Sequence, residues 1–396
     1  MATGVMAGGS PLAKARPEWR DGNRYFWILG AFVPLFLFAG WGMVSLTGLG
    51  LFWWMGPLLI FGVIPILDLI VGTDTTNPPE EVVPFLEQDR WYRWITYLYL
   101  PLQYLSLFTG FWLIARYGGL TWVDRLGITL TLGGMTGIAV NTAHELGHKK
   151  DAVERWLARF ALAPSCYGHF YVEHNRGHHV RVATPEDPAS SRVGESYWAF
   201  LPRTSLGGIR SAWGLERNRL RRQGLGPWSL RNQALSAWLM SAVLLGVLVA
   251  AFGPGVIGWF FLQAAFGSLL LFETVNYLEH YGLARQRTPD GRWESVKPEH
   301  SWNSNNRVTN ILLYHLQRHS DHHANPTRRY QALRHFEEAP QLPSGYAAMI
   351  LIAYVPPLWR AVMDRRVLAH YDGDISRANI HPRKRAKVLA AYPPAS

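Results

Sequence analysis

The chain has 396 residues, 48% of them hydrophobic and only 17% charged, with 18 Trp, 17 Tyr and 18 Phe. Length alone would allow two soluble domains, but this balance points to a membrane protein. The single cysteine, Cys166, excludes an internal disulfide and any four-thiolate metal site, and reads as a small apolar filler.

In chain order, apolar runs occupy residues 25–48, 51–72, 93–115, 121–143, 233–252 and 256–279. Each approaches or exceeds the roughly 20 residues that cross a bilayer core. Interrupting glycines and prolines are tolerated where neighbouring helices satisfy the freed backbone groups. The first run is long, aromatic and without a small-residue cleavage site, unlike a cleaved signal. A soluble protein with six long buried helices is the competing reading. The fold expected is all-α and integral to the membrane: a six-transmembrane-helix bundle with a cytoplasmic helical part carrying a histidine-rich metal site. It divides into a cytoplasmic N-terminal tail (1–24), a membrane domain (25–281) with a cytoplasmic insert (149–232), a cytoplasmic part (282–375) and a C-terminal tail (376–396).

Orientation follows from positive charge, which collects on the cytoplasmic side. With the N-terminus inside, segments 1–24, 73–93, 149–232 and 280–396 hold 37 of the 39 Lys and Arg residues, and only Arg116 and Arg125 fall outside. The net charge of +11 is thus an orientation signal and not a nucleic-acid footprint. It also suits anionic lipid head groups or an acidic partner protein. The ends "MATGVMAGGSPLAKARP" and "AYPPAS" read as mobile.

Fifteen histidines carry the chemical signal. "HELGH" supplies His144 and His148, "EHNRGHH" supplies His174, His178 and His179, and "RHSDHH" supplies His319, His322 and His323. Helical positions four apart share a face, about 5–6 Å from each other, so each group can present a chelating face. His144 and His148 end the fourth run, and "NYLEHYG" puts His280 at the end of the sixth. All these groups can converge at the inner membrane surface. His169, His300, His335, His370 and His381 stand alone and read as structural or exposed. The residues by themselves leave His280 open between ligand and bystander, and His315 between ligand and outer support.

"HELGH" also fits H-E-x-x-H, the zinc-protease signature with Glu145 as general base. A catalytic zinc takes three protein ligands, and eight clustered histidines exceed that. The count suits two ions, and all-nitrogen sites with open positions suit iron. A metal transporter would place its ligands near the bilayer midplane, and here they sit at run ends.

The stretches "NPPEEVVP", "NTAHELGHKK", "EHNRGHH", "ATPEDPASSRVGES", "NYLEHYGLARQ", "SWNSN" and "HLQRHSDHHANPTRRYQALR" resemble the membrane-bound alkane monooxygenases, the alkane hydroxylases of the fatty acid desaturase/hydroxylase-like di-iron superfamily. The resemblance covers roughly residues 20 to 375. It implies six transmembrane helices and two iron ions held by nine histidines: His144, His148, His174, His178, His179, His280, His319, His322 and His323. It makes His280 a ligand and leaves His315 out of the set, in keeping with the outer-support reading that its helical spacing from His319 favours. It implies O2-dependent terminal hydroxylation of medium-chain linear alkanes to primary alcohols at a bacterial inner membrane, with both termini and the site cytoplasmic. Electrons are expected from NADH through a reductase and a rubredoxin. One cysteine cannot supply the four thiolates of a rubredoxin, so the carrier is a separate protein or a domain beyond this sequence. Fatty acyl or alkyl-aromatic substrates, hydroxylated or desaturated, are the alternative.

Neutral imidazoles leave the metal charge uncompensated, so carboxylates should surround the ligands and orient them. Glu145, Glu173, Glu279 and Asp321 lie beside ligands, with Asp187 and Glu273 as further candidates; Asp321 could merely pair with Arg318. Glu273 lies inside an apolar run, where an acid is costly. Terminal selectivity requires a narrow apolar tube, and helical stepping from the ligands nominates Gly137, Val140, Asn141 and Leu312. Gly133 and Gly137 could equally serve close helix packing. Arg217, Arg219, Arg221 and Arg222 form a basic run that could receive an acidic electron donor, or could only mark the inner face.

Overall fold

The computed structural model describes residues 19–393; the N-terminal stretch read as mobile, and residues 394–396, lie outside them. Among the described residues the regular structure is helical, with strand pairing limited to isolated bridges.

The first apolar run is broken, unlike the expectation of one continuous span. Its start is turn, held by Asp21, whose Oδ2 accepts hydrogen bonds from Trp27 Nε1 and the Tyr92 hydroxyl, both at 2.8 Å. Pro34 lacks an N–H to continue a helix from that turn. Only Val33–Thr47 (α1) is continuous, and it is shorter than a full span. The next runs are Gly50–Val71 (α2), Arg90–Arg116 (α3) and Trp122–Gly147 (α4), each long and apolar enough to cross a membrane. A helical hairpin arm follows, with residues 170–181 (α5) packed on Tyr197–Arg221 (α6). Gln233–Phe252 (α7) and Pro254–His280 (α8) complete the long apolar helices. Arg307–Leu312 (α9), His319–Ala324 (α10), Tyr346–Ala353 (α11) and Pro356–His370 (α12) close the fold over the ends of α4 and α8. The axis bends by 120° between α11 and α12.

Exposed apolar side chains on the outer helices, such as Leu69, Ile70 and Val243, are what a lipid-covered surface requires. Helix α4 is the buried centre, and its glycines let α8 approach backbone to backbone. A Cβ at Gly133 would stand 2.8 Å from the Gln263 carbonyl oxygen, and one at Gly137 would stand 2.9 Å from that of Gly267. Between them Thr136 donates to Gln263 Oε1 at 2.7 Å.

The segment expected as a C-terminal tail is packed through residue 391. Ile380 pairs with Val193 in a bridge, and Ala378, Ile380 and Val388 are buried in the same apolar cluster as Tyr281 and Trp359. Burial of these apolar residues over the end of α8 offsets the entropy of ordering the chain.

Candidate metal centre

Each histidine reaches the centre for a local reason. His144 closes the last turn of α4, and His148 caps that helix. His280 is the last residue of α8. Helix α5 contains a π-helical turn over His174–His178. In an α-helix residues five apart point about 140° away from each other, whereas the wide turn turns His174 and His179 to one side. Their Nε2 atoms are 3.0 Å apart.

Nine histidines form two adjoining clusters. His144, His148, His174, His179 and His322 make one, and His178, His280, His319 and His323 make the other; within each, the ligand atoms lie within 4.8 Å of one another. The four-apart spacing keeps His144 with His148 and His319 with His323. It fails for the second group: His174 and His178 part, and His179 joins His174. His322 likewise crosses to the first cluster.

The donor set fits metal. Nε2 of His322 is 2.8 Å from that of His144 and 3.1 Å from that of His179, which is itself 3.0 Å from that of His174. A ring nitrogen carries either a proton or a lone pair, so not all of these contacts can be hydrogen bonds at once. Nitrogens bound at about 2.1 Å to one ion and at right angles to each other stand about 3.0 Å apart. His148 Nε2, His178 Nε2 and His280 Nε2 are buried with no hydrogen-bond partner. Burial, then the neighbouring imidazoles, push His174, His179, His322 and His323 well below the ordinary histidine value, which favours neutral rings of the kind that could ligate a metal.

The acids expected around the ligands divide. Asp187 Oδ2 meets His178 Nδ1 at 2.9 Å. Burial alone would raise this carboxyl, but His178 and the Ser190 hydroxyl hold it at about 2. Glu279 Oε2 lies 3.2 Å from His319 Nε2, and Oε1 accepts from the Tyr346 hydroxyl at 2.9 Å. The other acids touch no ligating ring. Glu145 pairs with Lys149 at 3.0 Å, and Lys149 also holds the Thr327 and Arg328 carbonyls. That pair staples α4 to the loop after α10 and leaves Glu145 unavailable as a protease base. Asp321 takes Arg328 at 2.8 and 2.9 Å, not Arg318, which binds backbone carbonyls. Glu173 pairs with Arg181 at 2.7 Å, and burial raises its carboxyl to about 7. Glu273 accepts from Tyr167, Thr204 and Asn276.

His315 is no outer support for the ligands. Its Nδ1 lies 2.9 Å from the Tyr330 carbonyl and its ring packs edge-on against Trp27 at 4.6 Å. Sequence reasoning missed Tyr346 and the His300 carbonyl, which lies 3.3 Å from His280 Nδ1. No motif marks either, because each acts across the fold.

An apolar cavity of about 70 Å³ lies between α2, α4, α8, α9 and α11. Gly137, Asn141 and Leu312 line it, as nominated; Val140 does not, being fully buried in the apolar cluster that includes Ala143 and Phe170. No histidine lines it, and its tie to the centre runs through Tyr346 and Glu279. Of the basic run, Arg219 is bound to Glu216 and to the Arg231 carbonyl, whereas Arg217, Arg221 and Arg222 are exposed.

Comparison with known proteins agrees with this architecture. Residues 120–353 match the fatty acid desaturase family model. The chain is 46% identical over 375 residues to the alkane 1-monooxygenase of Acinetobacter baylyi, covering 94% of this chain and 91% of that one. The chain belongs to the alkane 1-monooxygenase family. The Pseudomonas putida alkane 1-monooxygenase is 45% identical, covering 98% of this chain and 96% of its own. The xylene/toluene monooxygenase hydroxylase component of Pseudomonas putida is 27% identical, covering 84% and 86%. The alkane 1-monooxygenase family thus frames a metal centre at the ends of membrane helices.

Proposed function

We propose that the chain is a rubredoxin-dependent alkane 1-monooxygenase of the bacterial inner membrane. It hydroxylates the terminal carbon of medium-chain linear alkanes at a di-iron centre on the cytoplasmic side. The observation that carries this is the pair of histidine clusters beside an apolar cavity walled by lipid-facing helices. Two iron ions on these nitrogens would supply the dioxygen chemistry that breaks an unactivated C–H bond.

The chain does the rest. An alkane has no polar handle, so Leu312, Leu316, Val275 and their neighbours bind it by apolar burial. That is worth about 0.8 kcal/mol per methylene from water, and less from lipid. Exposed Val63, Leu67 and Leu351 on α2 and α11 suit entry from the bilayer. Asp187 fixes His178, and the His300 carbonyl fixes His280, so their inward nitrogens stay free of protons. Internal C–H bonds are weaker, so restricting which carbon reaches the centre is what makes the product terminal.

The test is metal analysis of the purified protein together with octane oxidation in the presence of rubredoxin, its reductase and NADH. Two irons per chain and 1-octanol support the reading. One zinc and no oxygen consumption would end it. Xylene run in parallel separates an alkyl-aromatic preference.

A further inference from the structure

A second, smaller cavity adjoins the centre, and its mostly apolar walls include several ionisable and hydrogen-bonding side chains. His174 and His178 line one side, and Thr204, Glu273 and Asn276 line another. Helix α8 is the partition: Leu271 and Val275 face the first cavity, while Glu273 and Asn276 face the second. About 20 Å³ is accessible there, enough for roughly one water molecule.

Glu273 is the group that demands a function. It is 3% exposed within a membrane-crossing helix. Three neutral donors reach its carboxyl: the hydroxyls of Tyr167 and Thr204 and the amide of Asn276. Among the described residues, no lysine or arginine pairs with it. An acid held so deep without a cation is expensive unless it works. At the outer end, Glu173 is held by Arg181, whose side chain is 31% exposed.

We propose that this second cavity is the proton inlet of the centre, with Glu273 as its proton carrier. The inference rests on the monooxygenase reading. There, RH + O2 + 2 e⁻ + 2 H⁺ gives ROH + H2O. The C–H and O–O bonds break, a C–O bond forms, and the donor supplies the electrons. No carboxylate or histidine lines the first cavity. Glu273 gives up its carboxyl proton toward the dioxygen-derived oxygen through water in the cavity, and solvent entering past the Glu173–Arg181 pair restores it.

The test compares wild type with Glu273→Gln, Glu273→Asp and Gly208→Val in the iron-loaded protein. A Cβ at Gly208 would make ordinary contacts with His169 Nε2 at 3.7 Å and Glu173 Cγ at 3.9 Å, so valine narrows the inlet without displacing backbone. Glu273→Gln should keep its iron and lose alcohol formation by about 100-fold, with electrons diverted to hydrogen peroxide and residual product still terminal. Glu273→Asp should recover part of the rate. In the resting enzyme, infrared spectroscopy should show a carboxylic acid band that is absent in Glu273→Gln and that exchanges with D2O more slowly in Gly208→Val. Turnover within two-fold of wild type with iron bound, or loss of iron from Glu273→Gln, overturns the proposal. If Glu273→Gln fails to fold, unchanged exchange and coupling in Gly208→Val overturn it. Wild-type protein that makes no alcohol would instead sink the monooxygenase reading.

Discussion

At the scale of single residues, ligating and bystander histidines differ in what their nitrogens meet. His144, His178, His280 and His323 aim nitrogens into the clusters, and each alanine variant should lose iron and activity together. His370→Ala and His381→Ala, with rings outside both clusters, should lose neither; iron analysis beside octane turnover checks the set. Asp187→Asn should cost roughly 10–100-fold in metal affinity or activity, because it removes the acceptor that fixes His178. A metal titration monitored by absorbance would show it, and an unchanged affinity would mean that the fold alone holds that ring. His315→Ala should behave differently. It removes a buried contact with Trp27 and the Tyr330 carbonyl and should lower the melting temperature by a loss of about 1–3 kcal/mol, with iron retained.

At the scale of elements, the π-helical turn of α5 is the device that sorts the second histidine group. Such a turn is an α-helix with one extra residue, and it recurs at functional sites. Deleting Asn175 should restore ordinary helix, swing His179 away from His174 and reduce bound iron, whereas Asn175→Ala should bind iron normally. Full iron in the deletion would show that the register of α5 does not matter. The α4–α8 contact changes the expectation for Gly137. A leucine there meets the Gly267 carbonyl before it reaches the cavity, so Gly137→Leu should destabilise the helix pair as well as slow turnover. Leu312 is the cleaner probe of the cavity. Leu312→Ala should keep activity and raise the share of internal alcohols in the product analysis; a purely terminal product would remove Leu312 from the surfaces that position the chain end.

At the scale of the whole molecule, the electron donor must find the cytoplasmic face. Arg219 is committed to Glu216, which leaves Arg217, Arg221 and Arg222 at the C-terminal end of α6, where cations also complement the helix dipole. If they guide an acidic donor, reversing all three to glutamate should raise the apparent KM for rubredoxin several-fold at low salt. The difference should vanish near 1 M salt, where the Debye length is about 3 Å. An unchanged KM would assign the run to membrane orientation and helix capping alone.

Much of this protein was legible in one dimension, because two of its constraints are local. A bilayer demands long apolar runs, so five of the six runs reappear as long apolar helices. Metal chemistry demands clustered imidazoles, so the three histidine groups stand out at short spacing. What escaped sequence reading depends on contacts between distant segments. The break of the first run is set by Asp21 reaching Tyr92, and the packing of residues 375–391 by apolar partners on α8 and α12. Spacing could not tell that His322 leaves its own helix-mates for the first cluster, or that His280 belongs to the second. Nor could proximity in sequence say which acids matter: Glu145 and Asp321 adjoin ligands yet bind Lys149 and Arg328, while Asp187, nine residues from His178, is the one that holds it. A side chain's neighbours along the chain set its reach, but its partner is chosen by packing, and only the tertiary structure decides that.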